Sequence, residues 1–203
     1  VSGDAPARRL EAILRADPGL MALLEALRGL GLPQWRVVAG CLYQTVWNSL
    51  TGRPRGYGIQ DYDVIYFDPD PSWEAEDRVI GRVAEATRGG VGPVQARNQA
   101  RVHLWFEARF GVPYPPLAAA DDSLVRYASV VHAVGVRLEA DGRLDVAAPF
   151  GLDDLFGLVV RPNPAIANRE SHARKGARVK ALWPELTVLP WPEGAIDSGP
   201  GHA

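Results

Sequence analysis

Ile59-Gln60-Asp61-Tyr62-Asp63-Val64-Ile65-Tyr66-Phe67 sets two carboxylates one residue apart at the head of a strongly β-prone run. Side chains alternate along a strand with a period of two, so Asp61 and Asp63 share one face. Like charges this close repel each other and are costly to desolvate unless a cation sits between them. Oxygen donors on one side of a rigid strand suit Mg²⁺, which takes one or two protein carboxylates and completes its shell with water and phosphate oxygens. Upstream, Trp35-Arg36-Val37-Val38-Ala39-Gly40 reads as a second strand that ends in glycine and opens into a helix. A glycine there lets a phosphate approach the backbone, and the first amides of the helix carry partial positive charge. For Gly40 taken alone a tight turn is the simpler reading. The two strands together pair a phosphate-handling turn with a metal-handling edge.

Outward from this centre, 41–51 reads as a helix with Leu42, Thr45, Val46 and Leu50 inward, followed by the glycine-rich loop 51–58. Asp17-Pro18 is an N-cap and first-position pair for a helix that Gly31 stops, and another helix precedes it over 5–16. Asp68 and Asp70, among prolines, read as turn and capping residues before a helix with Glu74 and Glu76 in its first turn. Pro93–Arg97 and Arg101–Phe106 are β-prone, and 121–131 reads as helical. Val134–Leu138 and Leu144–Ala147 flank an Asp141-Gly142 hairpin turn. Helices around 151–156 and 164–182 follow, then a Pro- and Gly-rich tail read as docked loop passing into disorder. The expected architecture is α+β: one domain over 1–203, with helices in 1–31, a small mixed sheet covered by helices mainly on one face, and a C-terminal helix and tail in 164–203.

The 47% hydrophobic and 23% charged fractions suit a chain that buries a real core. A net charge of −2 gives no global reason to expect nucleic acid or an anionic membrane as partner. The single cysteine, Cys41, can form no internal disulfide. No apolar run approaches the roughly 18 residues of a membrane span, and no secretion signal is legible. These features predict an intracellular, cytoplasmic protein without a membrane partner.

Ala39-Gly40-Cys41, the helix carrying Val46-Trp47-Asn48, and Asp61-Tyr62-Asp63-Val64 resemble the core of the polymerase-β-type nucleotidyltransferases. More closely, Thr45-Val46-Trp47-Asn48, Asp61 to Asp68, Asn98-Gln99-Ala100-Arg101-Val102-His103-Leu104-Trp105 and Ala148-Pro149-Phe150-Gly151-Leu152-Asp153-Asp154 resemble an uncharacterised bacterial nucleotidyltransferase-like family of that superfamily. The resemblance covers most of residues 35–190. It implies the polymerase-β-type fold and a Mg²⁺-dependent transfer of a nucleoside monophosphate from an NTP to an acceptor: a small molecule, a protein or RNA. It implies Asp61 and Asp63 as catalytic metal ligands, two Mg²⁺ ions with NTP bound, and the Gly40-Cys41 turn beneath the triphosphate. Two metals roughly 3.5–4 Å apart stabilise both the attacking and the leaving oxygens of an in-line displacement.

This chain departs from the superfamily pattern at two points. The third carboxylate, usual on a neighbouring strand, aligns with Val94-Gln95-Ala96, so the catalytic position holds Gln95, which cannot act as an ionised base. Asp145 is the alternative acid. Cys41 stands where Gly or Ser is usual, and reads as a small buried hydrophobe rather than a nucleophile. Asn48 is either a nucleotide contact or a helix-packing amide. Arg101 and His103 alternate to one face of the expected strand and suit phosphate or base binding, with a structural His–Asp bond the alternative for His103. The basic run Arg169 to Lys180 is either an acceptor clamp or, more cheaply, a solvated face. Two other functions stay in view: a binding module of the same fold without turnover, and a metal-dependent phosphoesterase using Asp61, Asp63 and His103.

Overall fold

The computed structural model describes residues 4–195; the disorder expected at the end of the tail lies outside them. Helices α1 (Asp4–Arg15) and α2 (Pro18–Leu30) come first. Asp17 caps α2 by accepting from the Leu20 N–H at 3.0 Å, and Gly31 ends it at φ 61°, a left-handed conformation that glycine adopts freely. Strand β1 (Arg36–Val38) runs into α3 (Gly40–Thr51), and β2 (Tyr62–Tyr66) into α4 (Trp73–Ala86). Then come β3 (Val94–Asn98), the short α5 (Phe106–Phe110), the hairpin β4 (Gly135–Leu138) and β5 (Leu144–Ala147), α6 (Asp153–Phe156), β6 (Val159–Val160), α7 (Arg169–Leu182) and β7 (Thr187–Val188).

Five strands form one mixed sheet in the order β3-β2-β1-β4-β5, with β2 and β3 parallel and the other pairs antiparallel. Alternation then sorts the side chains. Val37, Val64, Tyr66, Ala96 and Val136 face Leu14, Leu24, Leu27, Leu42, Val46 and Val79 of the helices in the main core. On the opposite face, Val38, Ala39 and Ile65 pack beneath Ala120, Leu124 and Ala133. Towards β3 that face carries Asp63, Gln95 and Arg97 and opens into a cleft. The α+β class, the mixed sheet with helices mostly on one face and the flanking terminal helices are as the sequence predicts. No described helix is long and apolar enough to cross a membrane.

The structure corrects several expectations. Residues 101–106 are not a strand: Gln99–Leu104 is a 3₁₀ helix that leads into α5. The cause is Asn98, whose Oδ1 accepts from Ala100 N at 3.1 Å and turns the chain off the sheet. The 121–131 segment breaks into two 3₁₀ turns, Asp121–Arg126 and Val130–His132. Helix α7 starts at Arg169 rather than near 164, after a stretch containing Pro162 and Pro164. Past α7 the chain pairs again, β7 with β6 in a two-stranded parallel sheet.

Tryptophans fasten α7 to α3. The Trp47 and Trp183 rings meet edge-on at 5.6 Å, and Trp183 Nε1 donates to Asn48 Oδ1 at 3.2 Å. Gly58, at φ 76°, lies so close to the Trp183 ring that a Cβ would collide with it.

Candidate functional site

Three neighbouring strands bring the site together. Val38 pairs with Asp63 across β1 and β2, and Asp63 pairs with Gln95 across β2 and β3. Asp61 stands immediately before β2, where Gln95 Nε2 donates to its Oδ2 at 2.8 Å. Gln95 therefore faces the same side as both aspartates. Burial, and then the charge of Asp61, pushes the Asp63 carboxyl up to about 6, while Lys175 and Arg97 pull it the other way. The Lys175 ammonium projects from α7 into the same cleft. Solvent reaches it, but the protein atoms around it lower its pKa by desolvation, an effect that Asp63 opposes.

The β1–α3 turn lies alongside. Ala39 takes φ 57° and ψ −122°, a strained conformation for a residue with a Cβ, and Gly40 opens α3 with no side-chain cap. The Leu42 and Tyr43 amides bond the Ala39 carbonyl at 3.1 and 3.3 Å, which leaves the Gly40 and Cys41 amides as the helix-start donors available to an anion. Cys41 is fully buried, its Sγ 3.6 Å from the Val38 carbonyl, and burial raises its pKa. It offers a ligand no thiolate, so any contact it makes is through its backbone.

Other residues singled out from the sequence lie elsewhere. Asn48 is a packing amide: its Nδ2 donates to Tyr57 O at 3.0 Å and its Oδ1 accepts from Trp183. Arg101 pairs with buried Glu76, donates to Pro71 O at 3.1 Å and lies over the Trp73 ring, tying α4 to the end of β3. His103 is half-buried and does not line the cleft, and its Nδ1 has no partner among the described residues. Because 99–104 is helical, the strand alternation expected to aim Arg101 and His103 together does not exist. Asp145 shares the sheet face of Asp63 but lies three strands away, roughly 14 Å at ordinary strand spacing, and is held by Arg36 at 2.8 Å and by Arg137. It is not a substitute acid. Asp68 and Asp70 accept from the N–H groups two residues ahead, as turn residues do.

Two members of the site escaped the sequence reading. Arg97 follows Gln95 by two residues, so strand parity alone places it on the cleft face. Lys175 was hidden in a basic run that is not one uniform face. His172, Gly176 and Val179 are buried at helical spacing, and the adjacent stripe Asn168-Ser171-Lys175 lines the cleft.

A family model described as nucleotidyltransferase matches residues 25–188. The chain belongs to this nucleotidyltransferase family. A solved structure described by the words "The NMR structure of the protein reveals a CCA-adding enzyme head domain" superposes with a TM-score of 0.71 at 26% identity, covering 89% of this chain and 96% of the other. No curated protein matches the chain significantly. Both findings place the chain in the polymerase-β-type nucleotidyltransferase superfamily. Among the described residues no three His, Cys, Asp or Glu side chains gather as a ready metal site. The acid pair is nevertheless a donor set that fits a Mg²⁺ arriving with phosphate oxygens, since such an ion needs only one or two carboxylates.

Proposed function

We propose that this nucleotidyltransferase-family protein transfers a nucleoside monophosphate from a Mg·NTP to an acceptor. The observation that carries the reading is the like-charged pair Asp61 and Asp63 beside the start of α3, with Asp63 held near pKa 6 and Lys175 facing it. Such a pair is poised for a cation. When bound, Mg²⁺ would neutralise phosphate charge and orient the α-phosphorus. Asp61 and Asp63 would hold it, the first amides of α3 would take triphosphate oxygens, and Lys175 would offset negative charge on the phosphates. The donor set supports one ion firmly; a second would have to share the same two carboxylates, because Gln95 replaces the third.

The bond from Gln95 to Asp61 also favours a second reading, a nucleotide-binding module with slow or no turnover. Gln95 cannot take a proton from an incoming hydroxyl, and Asp145 is held elsewhere. The phosphoesterase reading loses its third group, since His103 does not line the cleft.

Calorimetry with the four NTPs, with and without Mg²⁺, tests the site. Binding should require Mg²⁺ and weaken at least tenfold in D61N/D63N, while the metal-free variant melts no lower than wild type because the carboxylate repulsion is gone. Unchanged Mg·NTP affinity in that variant removes the metal from this strand. Pyrophosphate release across candidate acceptors then divides enzyme from binder.

A further inference from the structure

The cleft does not end at Asp63. Its volume of about 340 Å³ extends past Gln95 and Arg97 to a cluster of rings. Phe106 lies 4.4 Å from Tyr114 and 4.7 Å from Phe110, and Trp105 is 6.0 Å from Phe106. Three arginines line the same space: Arg97, Arg109 and Arg126. Arg126 lies over the Tyr114 ring at 4.4 Å and donates to Pro115 O at 2.7 Å. Arg109 lies over Phe110 at 5.4 Å, and Arg97 donates to the Ala96 carbonyl at 3.0 Å. Among the described residues none of the three forms an ion pair, whereas Arg36, Arg101 and Arg161 all have carboxylate partners. Arg109 and Arg126, held against aromatic rings with no carboxylate partner, and Arg97, whose charge also acts on Asp63, match a planar ring that carries an anion. The ring stacks, and the planar donors suit phosphate in particular.

We propose that this pocket receives the acceptor of the transfer reaction, and that the acceptor is a nucleotide: a base bearing a phosphate, either free or as the terminal unit of a strand. The assignment rests on the transfer reading above, and strand order gives the direction. The β1–α3 turn lies on the β1 side of the acid pair, whereas the pocket starts at Asp63 and runs over β2 and β3 to the rings that follow β3. In-line displacement puts the attacking hydroxyl and the leaving group on opposite sides of the α-phosphorus. With the triphosphate tail at Gly40, the hydroxyl arrives from β3. Its oxygen forms the new bond to the α-phosphorus, the bond to the bridging oxygen breaks, pyrophosphate leaves with the electron pair, and the hydroxyl proton passes to water. The volume suits one nucleotide-sized occupant.

The test is calorimetry with the four nucleoside 5′-monophosphates in the absence of metal, alongside Mg·NTP. Monophosphate binding should persist in D61N/D63N, weaken at least tenfold in Arg126→Gln and in Phe106→Ala, and be at least tenfold weaker for ribose 5-phosphate or the parent nucleosides. Both variants should keep wild-type Mg·NTP affinity, which also shows that they are folded. Short oligoribonucleotides run in parallel assign the source, since tighter binding by one probe class identifies a strand end or a free nucleotide. Absence of binding by every probe, or binding indifferent to both substitutions, overturns the proposal. So does an equal loss of Mg·NTP affinity, which would make the pocket the NTP's own base site. If Mg·NTP fails to bind wild type while monophosphates keep their dependence on Arg126 and Phe106, the transfer reading and the acceptor assignment fall together and only a nucleotide pocket remains.

Discussion

With an amide at position 95, Asp61 receives a hydrogen bond where a third carboxylate would repel it. Gln95→Glu should therefore lower metal-free stability by about 1 kcal/mol, the order of one lost hydrogen bond plus a new like-charge contact at an exposed site. Added Mg²⁺ should restore it, and scanning calorimetry with and without the ion reads both effects. The same change should raise pyrophosphate release more than Mg·NTP affinity, because a third carboxylate matters mainly in the transition state. Equal melting with and without Mg²⁺ would show that position 95 does not feel the ion. The acid pair was legible in the sequence because strand parity is a local rule. The bond between Gln95 and Asp61 was not, since it depends on the register of two strands separated by a helix.

Among the elements, the joint between β2, α4 and β3 hangs on one buried side chain. Asn98 Oδ1 accepts from Asp68 N and Ala100 N at 3.0 and 3.1 Å, and Nδ2 donates to Asp68 O and Asp70 O at 2.9 and 3.2 Å. Asn98→Ala leaves several of these groups unpaired and should cost about 2–3 kcal/mol, measured by urea unfolding. This joint also explains the misread segment. Arg-Val-His-Leu-Trp-Phe alternates like a strand, but the cap on Asn98 and the pair between Arg101 and Glu76 are tertiary facts that override the local pattern. The capped helices α2 and α4 and the β4–β5 hairpin were legible, because their signals lie within a few residues of each other. A second element-scale effect is pH-dependent. His132 is buried and stacked on Tyr43 at 5.0 Å, with neither ring nitrogen bonded among the described residues, and burial and then the charges of Lys175 and His172 depress its pKa well below the usual value. Below about pH 6.5 the unfolded chain binds a proton here that the folded chain does not. This group's contribution therefore falls as pH drops through 6.5 towards its folded pKa. Urea midpoints at pH 7.5 and 5.5 should fall less in His132→Phe than in wild type; parallel declines would mean that the ring protonates in place.

Over the whole molecule, α7 closes the site from a distance in sequence. Trp183 is fully buried against Trp47 and Tyr57, and Trp183→Ala should cost about 3–5 kcal/mol. The same substitution should weaken Mg·NTP binding although Trp183 does not line the cleft, because it loosens the helix that carries Lys175. Calorimetry on the folded variant separates the two effects, and wild-type affinity would show that Trp183 does not set the position of α7. Lys175 lies 112 positions after Asp63 (175 − 63). On the ribosome, a chain that has already extruded β1, β2 and β3 carries the two aspartates and Arg97 without the ammonium that faces them from α7. The cleft's full set of cations thus waits on translation, and a chain stalled before α7 lacks the one that comes from the far end of the sequence.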